Sequence, residues 1–364
     1  MANTKALCVF TNLLGNVVTT RTMMGALERL PAFDPTYVVL SGDDYLTHPA
    51  PWWRRLSDPW EAEFIARQKT QTERQQRFDM LWVHGWESAV ALQDLAKEIP
   101  AVATLDCVPA TMDRQIRLRE GISWKRVAAH QIHHRAFRAA APRYEWWLPM
   151  ATECASSLEQ DYGVAPERCT VTLMPLELDW WAPPPRAFVP PWRALFVGND
   201  FKRKGGEFLL RLYTAHLAGK CTLTIVSNDA ELAGRELPPG VQWIRGANRE
   251  QVRDAYWNSH IFLLPTQQDF GPYVVAEALA AGLPPLATDI GGVPDLIQDG
   301  ESGFILARSS SLEQWAKRIH GLFAAPGELW LMSMRARRFA EQFLGLARLD
   351  RLVSSVVDRL RAAA

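Results

Sequence analysis

The sequence predicts an α/β protein made of two doubly wound, Rossmann-like domains. Short runs of apolar and β-branched residues alternate with longer amphipathic stretches along the 364 residues, a pattern typical of parallel βαβ units. These strand-like runs fall into two series that a proline-rich segment separates. Because 48% of the residues are hydrophobic, the chain can bury a large core.

The two series define the predicted domains. The first, which predicts an amino-terminal domain over 1–181, has strand-like runs at 6–10, 36–40, 80–84, 101–105, 145–148 and 170–174. The second, which predicts a carboxyl-terminal domain over 193–345, has runs at 194–197, 221–226, 241–244, 261–264, 285–288 and 304–306.

The segments outside the two series have patterns of their own. Residues 182–192 contain five prolines, which a helix interior or a central strand does not accommodate, so we place the domain linker there. Apolar residues at three-and-four spacing after Leu349 predict a last helix over 346–364. We expect this helix to pack back towards the amino-terminal domain.

Composition narrows the functional class. The 40 Lys plus Arg balance the 40 Asp plus Glu, which argues against a nucleic-acid partner. The apolar runs are far shorter than the roughly 18 residues of a membrane span, and 6–10 is too short for a signal-peptide core. Five cysteines without C-x-x-C spacing suit reduced thiols rather than a zinc site. We therefore expect a cytoplasmic protein without a metal; the oligomeric state stays open.

Two carboxylates flank a predicted helix start in the second domain. Gly271 and Pro272 break the chain just before a helix that starts at Tyr273, and free N–H groups at such a start bind anions. Asp269 precedes this helix, and Glu277 lies within it, eight positions after Asp269. Carboxylates accept hydrogen bonds from sugar hydroxyls, so we expect Glu277 on a ribose diol and Asp269 on a hexose. The alternative is a capping or solvated Glu277.

A glycine-rich, basic loop follows the strand at 194–197. Gly198 ends the strand, the glycines at 205–206 allow close backbone approach, and three cations stand in a row before a helix, at Lys202, Arg203 and Lys204. Cations at a helix start are unfavourable unless an anion neutralises them. The loop therefore predicts a diphosphate site, with a simply solvated basic loop as the alternative.

Residues 263–306 contain a series of short motifs in a fixed order. These are Pro265-Thr266, Asp269, Glu277-Ala278, Gly282-Leu283-Pro284, Gly291-Gly292-Val293-Pro294-Asp295 and Asp299-Gly300-Glu301-Ser302-Gly303. The series resembles the signature of the retaining GT-B-type glycosyltransferases of the glycogen-synthase-like, mannosyltransferase-like group, the glycosyl transferases group 1. Residues 198–205 resemble the phosphate loop of that family, and the similarity covers most of 145–345.

The resemblance implies a GT-B fold, in which two Rossmann-like domains face a cleft, and a nucleotide diphosphate sugar as donor. It places Lys204 on the pyrophosphate, Glu277 on the ribose and Asp269, where the family usually has Glu, on the transferred sugar. Asn199 stands where the family has an arginine. Arg203 is our candidate to restore the missing charge, because guanidinium groups bind phosphate oxygens well.

The remaining site predictions are less specific. Gly15, after the first strand, is a candidate to approach the donor phosphates, and Gly246 to approach the base. Asp106 replaces the family's sugar-contacting histidine; it is a sugar ligand, a general base in an inverting enzyme, or part of a strand-end turn. His84 and Trp86 follow another strand and are candidates for acceptor binding, with a packing role as the alternative.

Residues 113–143 form a basic stretch with eight Lys or Arg against two acids. With the cluster at 52–55, it predicts an anionic acceptor or peripheral association at the inner membrane surface. The alternative is that its arginines pair with acids elsewhere. The variants that test it change Arg114, Arg117 and Arg119.

Together, these patterns predict a glycosyltransferase. It moves a hexose from a nucleotide diphosphate sugar to a hydroxyl acceptor, which is a saccharide, a glycolipid or a polysaccharide precursor, with retention of configuration and no metal or other cofactor. A sugar-nucleotide epimerase and a non-catalytic GT-B partner subunit are the alternatives.

Overall fold

The structure is a computed structural model that describes residues 3–11, 16–41, 43–44, 58–120 and 124–363. The chain divides into two compact units. The first consists of Met1–Pro175 together with Leu346–Ala364, and the second of Leu176–Gly345. Among the described residues, no helix combines the length and the apolar character needed to cross a bilayer.

The amino-terminal unit is built around a parallel sheet with helices against it. Its described strands run in the order β2-β1-β3-β4-β5. The strands are β1 Thr4–Thr11, β2 Phe33–Leu40, β3 Met80–His84, β4 Ala101–Leu105 and β5 Trp146–Pro149. The helices are α1 Asn16–Glu28, α2 Asp58–Lys69, α3 Trp86–Ala91, α4 Pro109–Glu120, α5 Trp124–Ala140 and α6 Thr152–Tyr162.

The run at 170–174, predicted as a strand, is not one in the structure. The N–H groups of Thr170 and Thr172 do donate to the carbonyls of Trp147 and Pro149, each at 2.9 Å. The pairing ends there because Leu173 has a φ of 55°, which interrupts the extended backbone.

The carboxyl-terminal unit has a second parallel sheet, in the order β11-β10-β9-β6-β7-β8. Its strands are β6 Trp192–Val197, β7 Cys221–Val226, β8 Val241–Ile244, β9 Ile261–Leu264, β10 Pro285–Thr288 and β11 Phe304–Leu306. Its helices are α7 Gly206–Leu212, α8 Arg249–Trp257, α9 Tyr273–Ala280, α10 Val293–Leu296, α11 Leu312–Ala324 and α12 Pro326–Phe343. The chain reverses its direction of winding between β6 and β9, and ligands bind at such a switch point in open α/β sheets.

The proline-rich segment differs from the predicted linker, because 182–192 belongs to the second unit. Arg186, in the middle of this segment, donates to the carbonyls of Ser259 and Gly282, each at 2.6 Å, and of Tyr256 at 3.2 Å. These bonds fix the segment to one unit, so the division falls earlier, between residues 175 and 176.

The last helix, α13 Leu346–Ala363, belongs to the first unit. Its apolar stripe is buried in the same core as side chains of α1, β1 and β3, such as Met23, Phe10 and Trp82. The stripe consists of Leu349, Val353, Val356, Val357 and Leu360. The three-and-four spacing in the sequence is thus the buried face of the helix.

Candidate functional site

The loops that follow β6 and β9 touch at the switch point of the second sheet. Gly205 has a φ of 82°, and a Cβ on it would lie 1.8 Å from the carbonyl oxygen of Pro265. The N–H of Gln267 donates to the carbonyl of Arg203 at 2.9 Å. Only glycine fits at residue 205, since it alone tolerates both this φ and the close backbone. The close approach predicted from the sequence is therefore made to a neighbouring loop of the chain.

Lys204 and Asp269 form an ion pair at this point, between Nζ and Oδ2. Their side chains are 12% and 6% exposed, respectively. The lysine predicted on the pyrophosphate and the carboxylate predicted on the sugar are therefore in direct contact. Each charge offsets the desolvation of the other, which is what allows two ions to be buried together.

Arg203 lies at the edge of the same loop with its guanidinium held on two sides. Its Nε donates to Asp200 Oδ2 and its Nη1 to the carbonyl of Gln268, both at 2.7 Å. The side chain is 28% exposed. A guanidinium has five N–H donors, so these contacts orient it and leave donors for an anion.

The start of α9 has fewer free N–H groups for binding an anion than the sequence predicts. The N–H of Tyr273 donates to the carbonyl of Gly271, and that of Val275 to the carbonyl of Pro272, both at 2.8 Å. The turn itself therefore satisfies two of the amides that we expected to bind an anion.

Glu277, half-buried on α9, accepts a hydrogen bond from the hydroxyl of Tyr256 at 3.0 Å. Tyr256 is fully buried on α8. Burial and the Glu277 charge together raise the pKa of Tyr256 well above its usual value. Tyr256 was not predicted from the sequence. The clue in the sequence was a tyrosine in a helix beside a buried strand, because the hydroxyl of a buried tyrosine needs a hydrogen-bond partner.

Side-chain amides connect three loops at the carboxyl edge of the second sheet. Asn199, after β6, accepts from the N–H of Asn228, after β7, at 3.1 Å. The Asn228 side chain accepts from the N–H of Gly246, after β8, at 2.8 Å. Gly198 donates its N–H to the carbonyl of Val226 at 3.0 Å. Asn199 and Asn228 together thus connect the loops predicted to bind phosphate and base, through the loop after β7. Asn228 was not predicted from the sequence.

In the first unit, His84 is fully buried at the end of β3. The Thr104 hydroxyl donates to the carbonyl of Val83 at 3.1 Å, so it accepts from His84 Nδ1 at 2.9 Å. Burial lowers the pKa of His84, and the nearby Asp106 opposes that shift. Asp106 is half-buried and accepts from the N–H of Cys107 at 2.8 Å, a local contact at the strand end.

Trp86 does not lie where a sugar would stack. The side chain is 3% exposed, and its ring packs against His133 at 5.3 Å and edge-on against Phe137 at 6.3 Å. The indole is therefore used by α3 to pack on α5. The next residue, Glu87, was not anticipated; burial, with a contribution from Asp106, raises its pKa to about 8.

Several predicted positions lie outside the described residues. These are Gly15, the cluster at 52–55 and the side chain of Arg119. Within the described part of the basic stretch, Arg114 pairs with Asp161 at 2.9 Å, as the alternative expects, and Arg117 is exposed.

The described residues contain no group of three or more His, Cys, Asp or Glu side chains suited to a metal ion.

Comparison with known proteins supports the resemblance in the second unit. A family model described as "Glycosyl transferases group 1" matches residues 192–325. A D-inositol 3-phosphate glycosyltransferase of Rhodococcus jostii is 26% identical over 59% of this chain and 52% of its own. An uncharacterised glycosyltransferase of Haemophilus influenzae is 33% identical over 41% of this chain and 44% of its own. The chain spans about half the length of the curated relatives it matches.

Solved structures match over the whole chain. Sucrose-phosphate synthase from Thermosynechococcus elongatus aligns with a TM-score of 0.81 and 12% identity, covering 100% of both chains. Anabaena HepE in complex with UDP-glucose aligns with a TM-score of 0.73 and 13% identity, covering 98% of this chain and 99% of its own. At such identities the likeness establishes the fold. The predicted α/β class with two Rossmann-like units, as in GT-B proteins, is therefore confirmed.

Proposed function

We propose that this protein is a retaining glycosyltransferase that moves a hexose from a nucleoside diphosphate sugar to a hydroxyl acceptor. The observation that carries the proposal is the Lys204–Asp269 pair, which joins the loops after β6 and β9. Both residues lie within the segment that matches the glycosyltransferase family model. Because the matching model and the relatives reported above are glycosyltransferases, sugar transfer is favoured over the epimerase and the non-catalytic subunit.

The donor is proposed to bind along the carboxyl edge of the second sheet. Lys204 and Arg203 take the diphosphate, Asp269 a hydroxyl of the hexose, and Glu277 the ribose. The base lies by the loop of Gly246. Anabaena HepE, which shares the fold, is in complex with UDP-glucose in its solved structure, which makes a uridine nucleotide the first donor to test.

The chemistry requires charge stabilisation more than a protein nucleophile. Departure of the diphosphate develops negative charge, which Lys204 and Arg203 stabilise from fixed positions. In a front-face reaction the leaving phosphate accepts the proton of the attacking hydroxyl, so the protein supplies orientation. Asp269 shares Lys204 with the incoming phosphate and keeps its remaining lone pairs for the sugar. We propose no metal or other cofactor.

The acceptor is proposed to bind the first unit, near Asp106, which is half-buried just after β4. Several relatives are named D-inositol 3-phosphate glycosyltransferases, which supports an acceptor that carries phosphate. A lipid-linked acceptor and peripheral membrane association remain part of the proposal and are tested by salt-sensitive binding to anionic vesicles.

Thermal unfolding with UDP, GDP and ADP tests the donor site. A ligand at one hundred times its Kd stabilises the folded state by about 2.7 kcal/mol, so we expect one of the three to raise the Tm by several degrees. Lys202→Ala, which changes an exposed cation two residues away, keeps this shift, and Lys204→Ala loses it. If none of the three nucleotides moves the Tm, the proposal is wrong.

The stereochemistry is tested separately by NMR of the product anomer. Retention supports the front-face reaction. An inverted product would reassign Asp106 as a general base, and a product formed without any acceptor would favour the epimerase.

A further inference from the structure

Tyr256 is a fully buried residue that the proposed reaction does not yet use. It lies near the end of α8, where Trp181 packs edge-on against its ring at 5.4 Å and Phe262 of β9 lies 5.6 Å away. An aromatic ring enclosed in this way has little freedom. The position of its hydroxyl is therefore set by the packing of the unit.

The hydroxyl has two acceptors within reach. Glu277 Oε2 lies 3.0 Å away and the carbonyl oxygen of Val274 lies 3.1 Å away. A tyrosine hydroxyl has one proton to donate, and the charged carboxylate is the stronger acceptor. Because the pKa of Tyr256 is raised, the hydroxyl keeps that proton at physiological pH. Tyr256 is thus a permanent donor to Glu277.

The helices that carry Tyr256 and Glu277 are tied together at their carboxyl ends. Arg186 donates to the carbonyls of Tyr256 at 3.2 Å and Ser259 at 2.6 Å, at the end of α8, and to that of Gly282 at 2.6 Å, just after α9. One half-buried arginine therefore fixes both backbones. The Tyr256 hydroxyl and the Glu277 carboxylate are therefore carried by two helices whose carboxyl ends are fixed to each other.

We propose that Tyr256 is a positioning residue that orients the Glu277 carboxylate to bind the two ribose hydroxyls of the donor nucleotide. It touches no substrate itself. A carboxylate accepts about four hydrogen bonds, so the bond from Tyr256 restricts its rotation without using up its acceptors. The inference rests on the proposed function, which assigns the ribose to Glu277.

The test compares, by calorimetry, the affinities of a nucleoside diphosphate and of its 2′-deoxy and 3′-deoxy analogues. The probe is whichever of UDP, GDP and ADP stabilises the wild-type protein. In the wild type, loss of a hydroxyl that bonds to a carboxylate weakens binding by about tenfold or more. In Tyr256→Phe we expect this ratio to fall towards one. Pyrophosphate, which has no ribose, binds both proteins equally.

A matched control separates positioning from stability. Tyr213 is also a buried tyrosine of the second unit, and its hydroxyl has two acceptors within reach, the carbonyl oxygens of Cys221 and Pro239. Tyr213→Phe removes a buried hydroxyl of the same kind away from Glu277, so it keeps the wild-type ratio. In a Glu277→Gln background, where the ratio is already lost, Tyr256→Phe has no further effect on it.

The outcomes distinguish the two proposals. If the nucleotide binds and Tyr256→Phe keeps the wild-type ratio while Glu277→Gln loses it, the positioning role is overturned and the donor site stands. If no nucleoside diphosphate binds the wild type, the proposed function fails and the inference fails with it. A reduced ratio in Tyr256→Phe but not in Tyr213→Phe supports the positioning role.

Discussion

The two units use the loops at the carboxyl ends of their strands differently. In the second unit, the predicted site residues contact one another or a polar neighbour, as Lys204 does with Asp269 and Glu277 does with Tyr256. In the first unit, His84 and Trp86 are buried by their own unit. Burial alone does not separate the two groups, since Asp269 is 4% exposed and Trp86 is 3% exposed. In the second unit, two buried charges from different loops pair with each other, whereas the Trp86 indole packs against aromatic rings of its own unit.

The sequences around Lys204 and around Trp86 already indicate this difference. The glycines around Lys204 permit two loops to approach, since a Cβ at Gly205 would overlap the backbone of Pro265. Trp86 has aromatic partners on α5, so its burial follows from the hydrophobic effect. Ligand binding should therefore depend on the second unit's loops, and stability on the first unit's aromatic residues.

The largest expected effect is on stability, from Trp86→Ala in the first unit. Removing a buried indole costs about 3–5 kcal/mol because it leaves a cavity. The measurement is urea unfolding followed by circular dichroism. Trp330→Ala, at a side chain that is 49% exposed, is the matched control and changes stability by less than about 0.5 kcal/mol. A Trp86→Ala protein of normal stability that binds acceptor poorly would show that the indole serves acceptor binding and not packing.

The second largest expected effect is on the rate of sugar transfer, which Lys204→Ala in the second unit lowers. Loss of one preorganised charge contact raises the transition-state barrier by about 3 kcal/mol, or roughly 100-fold in rate. The change also leaves the Asp269 charge buried without its lysine, which destabilises the fold. In the double variant Lys204→Ala/Asp269→Asn we therefore expect stability to recover and transfer to stay low. Transfer that recovers along with stability would show that the lysine is only structural.

Asp269→Asn in an otherwise unchanged protein tests whether Asp269 acts on the hexose or on the diphosphate. We expect it to slow sugar transfer more than it weakens nucleoside diphosphate binding, because its carboxylate is assigned to the hexose. The two are measured by initial rates and by calorimetry. Equal losses in both would contradict that assignment.

The smallest effect is a pH dependence in the first unit, from Glu87. The pKa of its carboxyl is raised from 4.5 to about 8, so the folded protein holds a proton that the unfolded chain releases. Its contribution to stability is complete below about pH 4.5 and is lost as the pH rises to about 8. Glu87→Gln removes this decline.

The difference in unfolding free energy between wild type and Glu87→Gln, measured as a function of pH, isolates the contribution of the Glu87 carboxyl. The lowered pKa of His84 acts in the opposite sense below its usual value of 6.5, but it is present in both proteins. Glu328→Gln, at an exposed carboxyl of α12, keeps the wild-type decline. An identical pH profile for wild type and Glu87→Gln would show that Glu87 is not buried as a neutral acid.

Much of the fold could be predicted from the sequence, because strand and helix patterns are local. The runs at 261–264 and 285–288 coincide with β9 and β10. The run at 170–174 failed as a strand for a backbone reason, the positive φ of Leu173, that no pattern of apolar residues reveals. Tyr256 and Asn228 were missed because their roles depend on partners that are distant in the sequence.

The sequence by itself determined the two series of strands, the glycines that permit close loops, and the presence of Lys204, Asp269 and Glu277. Only the tertiary structure decided that Lys204 meets Asp269, 65 residues later, that Trp86 is buried, and that 182–192 belongs to the second unit. Local patterns fix secondary structure because their interactions span a few residues. Contacts between loops depend on the order of the strands, which places β6 beside β9.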